Sequence, residues 1–354
     1  MTDAAEPIKF AVVGCGRVSV HHFEAIASLD GTKLVGVCDE DRSVLDEVTA
    51  ERDVAGFTSL DALLEAREFD VGVLATPTGL HAGQTNRLAE TGRHVMTEKP
   101  MATRWSDAVS MVERCRELER HLFVVKQLRY NPTLQLAKRA IERGWLGEIR
   151  LVDLDVFWTR PQEYFDSADW RGTRRLDGGA FLNQTSHYFD LLTWLFGPVG
   201  SVSGTVRTLD RDIEVEDTGT AQLEWESGAL GSVSVTLLTW PKNLEASLTI
   251  LGDEGSIRIG GTACDRIDVW KVADAPVSDA DIDRCNRETA EFYGDGHTRY
   301  YQNVVDVLRG GTAPDTNGTE GLKSLELITA AYASSRRGER DELPLPRDCE
   351  LEDE

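Results

Sequence analysis

The first forty residues restrict the fold more than any other part of the chain. Ile8 to Val13 is apolar apart from Lys9, the pattern of a strand buried on both faces, and Gly14-Cys15-Gly16-Arg17-Val18-Ser19 follows without a linker. A helix is expected over roughly 20–29, and a second strand over 34–38 runs into Asp39. Strand, glycine pair, helix, strand and acidic residue in this order let a pyrophosphate approach the turn backbone and rest at the helix N-terminus. Gly14 and Gly16, with Arg17 and Val18 beside them, form the candidate loop, although Ser19 stands where a third glycine would complete the fingerprint. A carboxylate at Asp39 can accept hydrogen bonds from ribose hydroxyls, whereas Glu40 and Asp41 would repel a 2′-phosphate, so NAD is expected rather than NADP. The plainer role for Asp39 is a helix N-cap; the surrounding pattern favours the dinucleotide.

The alternation continues beyond that point. A helix over about 41–52 precedes a strand at 71–75, a helix near 80–91, a strand at 94–97, a helix near 103–120 and a strand at 122–126, which implies a doubly wound parallel sheet with right-handed crossovers. After a helix at about 131–143 the pattern changes. Segments 149–159, 200–207, 217–226, 229–239, 245–251, 255–260 and 266–272 read as strands joined by turns such as Glu226-Ser227-Gly228, with a helix over 180–196 against them. Residues 273–290 read as polar and irregular, 298–310 and 319–336 as helices, and 347–354 as a disordered acidic tail. The expected architecture is α/β: an NAD-binding Rossmann domain over 1–127, and a substrate-binding and oligomerisation α+β domain over 128–346 built on an open, mainly antiparallel sheet. A chain of 354 residues is long enough for two such cores.

Composition excludes several partners. A net charge of −23 argues against nucleic acid binding through a basic surface. No apolar run reaches the ~20 residues of a membrane span, and Met1 to Glu6 lacks the basic and apolar regions of a signal peptide, so a cytoplasmic protein is expected. Six cysteines without a Cys-x-x-Cys pair argue against a zinc site or a disulfide framework and read as reduced thiols; no metal is expected. Only eight of the 38 basic residues are Lys, a carboxylate-rich and lysine-poor balance that suits a salt-rich cytoplasm, although an acidic protein from a GC-rich genome would look similar.

Two further strand ends bring chemistry to the sheet edge where an α/β fold binds ligands. Thr76, Pro77 and His81 follow one, and Glu98 and Lys99 the other, so Lys99 is expected to face the nicotinamide and substrate. A second candidate site lies on the 180–196 helix, where Asn183 and His187 are one turn apart and Asp190 follows three residues on. An isolated pair of this kind more often serves internal hydrogen bonding than catalysis.

Gly14-Cys15-Gly16-Arg17 with His22, Thr76-Pro77-Thr78 with His81, Glu98-Lys99-Pro100 and the Gly179 to Asp190 helix together resemble the glucose-fructose oxidoreductase, inositol dehydrogenase and MocA (Gfo/Idh/MocA) family over most of the chain. The resemblance implies bound NAD or NADP, with Gly14, Gly16, Arg17, Val18, Asp39, Thr76, Pro77, His81, Glu98, Lys99 and Gln127 at the cofactor, and dimers or tetramers formed through the outer sheet face. It also implies that Lys99 and His187 stand at the catalytic positions. Where many relatives have Asp four residues before the His, this chain has Asn183, an amide that carries no charge. Leu182-Asn183-Gln184 with His187, Arg160 to Phe165, Trp170 to Thr173 and Pro314 to Glu326 look like the branch of UDP-N-acetylglucosaminuronate 3-dehydrogenases. That likeness puts Arg160, Gln162, Tyr164, Arg171, Thr173, Asn183, Gln184 and His187 at the substrate. Arg174 stands where an aromatic is expected.

A nucleotide sugar acid needs local cations on a protein this acidic, and Arg160, Arg171, Arg174 and Arg175 supply them within sixteen residues; pairing with Glu163, Asp166 and Asp169 is their plainer role. The expected reaction is oxidation of a sugar 3-hydroxyl. His187, with an ordinary imidazole pKa of about 6.5, takes the proton while Lys99 stabilises the alkoxide, Glu98 steadies Lys99, Asn183 orients the sugar or the imidazole, and Asp190 sets the tautomer. Lys99 as the base is the internal alternative, and a 2-oxo acid is a possible acceptor for NADH. An enzyme of free sugars, inositols or cyclic polyols and a non-catalytic NAD-binding regulator are the rival readings.

Overall fold

The computed structural model describes residues 6–273, 276–290 and 292–347; Cys349 and the acidic residues after 347 lie outside them. The chain divides into two compact units that are not contiguous blocks of sequence. One comprises residues 1–102, 107–127 and 293–322, the other 103–106, 128–292 and 323–354.

The first unit is built on six parallel strands, β1 Ile8–Val13, β2 Thr32–Cys38, β3 Gly56–Phe57, β4 Val71–Leu74, β5 His94–Thr97 and β6 Leu122–Val124, in the order β3-β2-β1-β4-β5-β6. Phe10, Ala11, Val12, Val71, Val73 and Leu74 are fully buried, as strands covered on both faces must be. The order reverses between β1 and β4, so the loops after these two strands flank the switch point at which such sheets bind ligands. The crossovers are α1 Ser19–Ser28, α2 Arg42–Arg52, α3 Leu60–Ala66, α4 His81–Glu90 and α5 Trp105–Glu117. Asp41 caps α2 through the Ser43 and Val44 N–H groups, and Ser59 caps α3, an element with β3 that the sequence reading passed over.

The second unit opens with α6 Pro132–Glu142 and carries eight strands: β7 Ile149–Phe157, β8 Val199–Arg207, β9 Thr218–Trp225, β10 Leu230–Thr236, β11 Glu245–Gly252, β12 Gly255–Gly260, β13 Arg266–Val272 and β14 Asp341–Glu342. Their order is β13-β12-β11-β7-β10-β9-β8-β14, antiparallel throughout except for β7 beside β10. Val152, Leu154 and Val156 on β7 are buried while Asp153 and Asp155 occupy the opposite face, the alternation that marks a sheet covered on one side. The expected α/β architecture with a mainly antiparallel second sheet is observed.

Two expectations are corrected. Residues 279–290, read as irregular, form the helix Asp279–Ala290, which packs against α6 and β13 and is tied by the Asn286 side chain to the Ile267 N–H at 2.8 Å. The 180–196 helix is not continuous. Residues Ala180–Gln184 make a wide π turn, Thr185 leaves helical geometry at φ −119° and ψ 11°, and a regular helix runs only over Ser186–Phe196. Thr185 drives the break: its hydroxyl bonds back to the Ala180 and Phe181 carbonyls at 2.8 and 3.2 Å. In chain order α7 is Gln162–Phe165, α8 Ser186–Phe196, α9 Asp279–Ala290, α10 Phe292–Leu308 and α11 Gly318–Arg337. Among the described residues no helix is long and apolar enough to cross a membrane.

Candidate cofactor and substrate sites

Gly14 sits at φ +94°, and a Cβ there would lie 2.6 Å from the Ala75 carbonyl carbon, so only glycine lets the loop after β1 meet the loop after β4. At Gly16 an added Cβ would meet nothing within 4 Å: this face of the turn is open to a ligand. Arg17 is exposed and Val18 half-buried beside it. Ser19, in the third glycine position, donates its hydroxyl to the Gly16 carbonyl at 2.7 Å and closes the turn from below. Asp39 is not the N-cap of α2. Its carboxylate accepts the Cys15 N–H at 2.7 Å and the Asp41 N–H at 2.9 Å, so the acidic residue at the end of β2 also braces the glycine loop. The Cys15 and Cys38 thiols are pushed up to about 12 and about 11 by burial and then by the Asp39 charge, which keeps them protonated and inert.

The Thr76 hydroxyl bonds Gln84, and Pro77 starts the turn into α4. His81 is 1% exposed, its ring set between the carbonyls of Thr76 (2.9 Å) and Pro100 (3.1 Å), where it ties the loop after β4 to the loop after β5. Glu98 is also buried. Its Oε1 lies 3.2 Å from Nε2 of both His22 and His297, and its Oε2 accepts the Lys99 N–H at 3.1 Å. Burial would raise this carboxyl, but the two histidines outweigh it and hold Glu98 well below the usual carboxylate range. Lys99 is half-buried, and the Gln127 side-chain oxygen, three residues past β6, is buried without a partner among the described residues. An open glycine turn, an acid at the end of β2 and an unsatisfied amide oxygen past the last strand fit a dinucleotide.

In the second unit four of the expected substrate residues form one polar chain. Arg160 Nε donates to Gln184 Oε1 at 2.8 Å, Gln184 Nε2 to the Tyr164 hydroxyl at 3.0 Å, and Arg171 Nη1 to the same hydroxyl at 2.6 Å. The Arg160 guanidinium lies over Trp158 and Tyr164, and that of Arg171 over Tyr164 and Trp170, at 4.4 to 5.4 Å from the ring centroids. Arg171 Nε is buried without an acceptor among the described residues, a donor suited to an anionic oxygen. Gln162 and Thr173 are engaged locally instead: Gln162 holds Asp166 and the Asp212 backbone, and the Thr173 hydroxyl bonds the Trp170 carbonyl. Arg174 bonds Glu214 through both its backbone and its side chain.

Asn183 does not share a regular helical stripe with His187. It lies in the π turn and its amide donates to Asp177 Oδ1, while Asp177 Oδ2 accepts the Gly172 N–H at 2.6 Å. His187 is in the first turn of α8 and 8% exposed. Both Asp190 oxygens accept from Arg129, at 2.8 Å each. The sequence reading missed Arg129, Glu216, Tyr332 and Arg211. Glu216 is buried and accepts from the Phe181 N–H at 2.8 Å and the Tyr332 hydroxyl at 2.7 Å, fixing the start of the π turn; Arg211 Nε donates to the Arg160 carbonyl at 2.8 Å. These partners lie 35 to 150 positions away in sequence, and no local pattern announces them.

Two family profiles cover most of the chain. Residues 8–126 match the family profile described as oxidoreductase family, NAD-binding Rossmann fold, and residues 138–343 the profile of its C-terminal alpha/beta domain. The chain is 52% identical to the WlbA dehydrogenase from Bordetella pertussis, solved in complex with NADH and UDP-GlcNAcA, with a TM-score of 0.95 over 97% of this chain and 99% of that one. The WlbA dehydrogenase from Chromobacterium violaceum, solved with the same two molecules, is 50% identical, with a TM-score of 0.93 over 98% of each chain. D-apiose dehydrogenase from Paraburkholderia graminis is 26% identical over 97% of this chain and 91% of its own length.

Proposed function

Because the chain belongs to the Gfo/Idh/MocA oxidoreductase family, we propose that it is an NAD-dependent dehydrogenase that oxidises the 3-hydroxyl of UDP-N-acetylglucosaminuronate to the 3-keto sugar, an early step in making amino-sugar glycans. The observation that carries this reading is identity of 50 to 52% over nearly the whole length of two dehydrogenases whose structures hold NADH and UDP-GlcNAcA. The Arg160, Gln184, Tyr164 and Arg171 chain supports it, since stacked guanidiniums, with Arg171 Nε lacking an acceptor among the described residues, suit a ligand that brings both a pyrophosphate and a carboxylate.

NAD, when bound, would supply the hydride acceptor. The Gly14 to Val18 turn, Asp39 and Gln127 would hold it, while Thr76, Pro77 and His81 shape the neighbouring loop. His187 takes the hydroxyl proton as general base, and Lys99 donates to the oxygen on which negative charge develops. Asn183, steadied by Asp177, orients the sugar. Arg129 fixes Asp190, and through it the helix that carries His187. The protein works in the cytoplasm as a dimer or tetramer joined through the outer face of its second sheet, and a 2-oxo acid returns NADH to NAD.

Purified protein incubated with NAD and a panel of UDP-GlcNAcA, UDP-GlcNAc, UDP-glucuronate, the free uronic acid and inositol tests this directly, with NADH and the keto product read by mass spectrometry. UDP-GlcNAcA is expected to be oxidised fastest, and a 2-oxo acid added afterwards to discharge the NADH. Oxidation of inositol or the free sugar with none of any UDP-sugar would overturn the substrate assignment.

A further inference from the structure

Glu98 brings together three separate stretches of the first unit. His22 comes from α1, just after the glycine turn, His297 from α10, nearly two hundred residues later, and the third partner is the Lys99 backbone. His22 is fully buried, and its Nδ1 lies 3.0 Å from the hydroxyl of Tyr301, which stands one turn after His297 on α10 and whose ring is 5.2 Å from that of Phe10 on β1. One assignment of tautomers fits this arrangement. With Tyr301 donating to Nδ1, His22 carries its proton on Nε2 and presents it to Glu98, and His297 presents a second. The two contacts differ in quality: the His297 ring is aligned for a hydrogen bond to Oε1, whereas His22 approaches to the same 3.2 Å off-line. A buried carboxylate without donors would cost several kcal/mol, and here each oxygen has at least one.

The three side chains could also be read as a cation site, since their ligand atoms lie within 4.8 Å of one another. The geometry favours hydrogen bonding. Ligation would turn both Nε2 lone pairs toward a shared point beside the carboxylate, whereas His297 is aimed at the carboxylate oxygen itself and the other ring nitrogen of His22 is engaged by Tyr301.

We propose that His22 and His297, with Tyr301 behind His22, are positioning residues for Lys99: they clamp the Glu98 carboxylate, whose other oxygen holds the Lys99 backbone and so sets where that side chain begins. The inference rests on the role given to Lys99 above. It also assigns a task to α10, whose residues from 293 onward belong to the nucleotide-binding unit although the helix follows seven of the eight strands of the second sheet in sequence.

The test measures NAD-dependent oxidation of UDP-GlcNAcA by full-length His297→Phe, His297→Gln, Glu98→Ala, the Glu98→Ala/His297→Phe double variant and Lys99→Met, with NADH binding as the check on folding. His297→Phe is expected to lower kcat about 10- to 100-fold while both KM values stay within about threefold. His297→Gln, which retains an N–H donor, should recover most of that loss, and the double variant should be no slower than Glu98→Ala alone. Unchanged kcat in His297→Phe, equal losses in the Phe and Gln variants, or additive losses in the double variant would each overturn the proposal. If His297→Phe does not bind NADH, Tyr301→Phe replaces it: a several-fold lower kcat at unchanged KM supports the clamp and an unchanged kcat sinks it. Near-normal turnover in Lys99→Met removes the catalytic role of Lys99, a different failure from an intact Lys99 effect with no His297 effect. A stoichiometric divalent metal in the purified protein, lost together with activity on chelation, would replace the clamp with a metal site.

Discussion

An imidazole serves as a base only if its ring is held in place and its substrate reaches it, and the contacts on either side of His187 fix the backbone that carries it. It stands in the first turn of α8, between a π turn pinned by Glu216 and Tyr332 and the Asp190 carboxylate gripped by Arg129. A general base in this position carries a defined share of the rate. His187→Asn is therefore expected to lower turnover of UDP-GlcNAcA by roughly 10² or more while NADH still binds, as read by steady-state kinetics and a binding titration. Turnover close to that of the unaltered protein would remove His187 from the mechanism. Asn183 was legible as the departure from a catalytic aspartate. Its partner was not: Asp177 is six residues upstream, and only the wide turn between them brings the two side chains together.

The two sheets respond differently to charge. In the first, β1 and β4 are buried on both faces and carry no carboxylate, whereas β7 of the second turns Asp153 and Asp155 outward. Asp155 is raised from 3.8 to about 6 by partial burial, then by Asp153 and Glu245. The sign follows directly. A carboxyl whose folded value lies above its unfolded value contributes its stability below about pH 4 and loses it as pH rises through about 6, because the folded protein then holds a charge it disfavours. Asp155→Asn should thus raise the unfolding free energy measured by urea titration at pH 8 by about 1 kcal/mol after discounting for solvent, and give no gain at pH 4. An equal effect at both pH values would show that packing rather than ionisation dominates. The same alternation made these strands readable: 255–260 and 266–272 agree to the residue with β12 and β13. The helix over 279–290 escaped because its first two turns, Asp279-Ala280-Asp281-Ile282-Asp283-Arg284, offer little apolar periodicity, and its support comes from α6 and β13.

At the scale of the whole molecule a net charge of −23 works against compactness, and salt should relieve it. We propose a salt-rich cytoplasm as the native setting. The thermal midpoint is expected to rise steadily from low salt to about 1 M KCl, where the Debye length falls to ~3 Å; a flat or falling midpoint would refute this. The sequence by itself determined the change from alternating strands and helices to a run of strands, the glycine turn with Asp39, the two catalytic candidates and the arginine-rich segment, because these depend on period, turn chemistry and residue type within a few dozen positions. Only the tertiary structure decided that residues 293–322 return to the nucleotide-binding unit, that His22 and His297 converge on Glu98, and that Glu216 and Arg129 fix the two ends of the His187 segment. The physical reason is the same in each case. A buried polar group must find a partner, and the partner is chosen by which chain segments packing brings within about 3 Å, a distance that no local pattern in the sequence encodes.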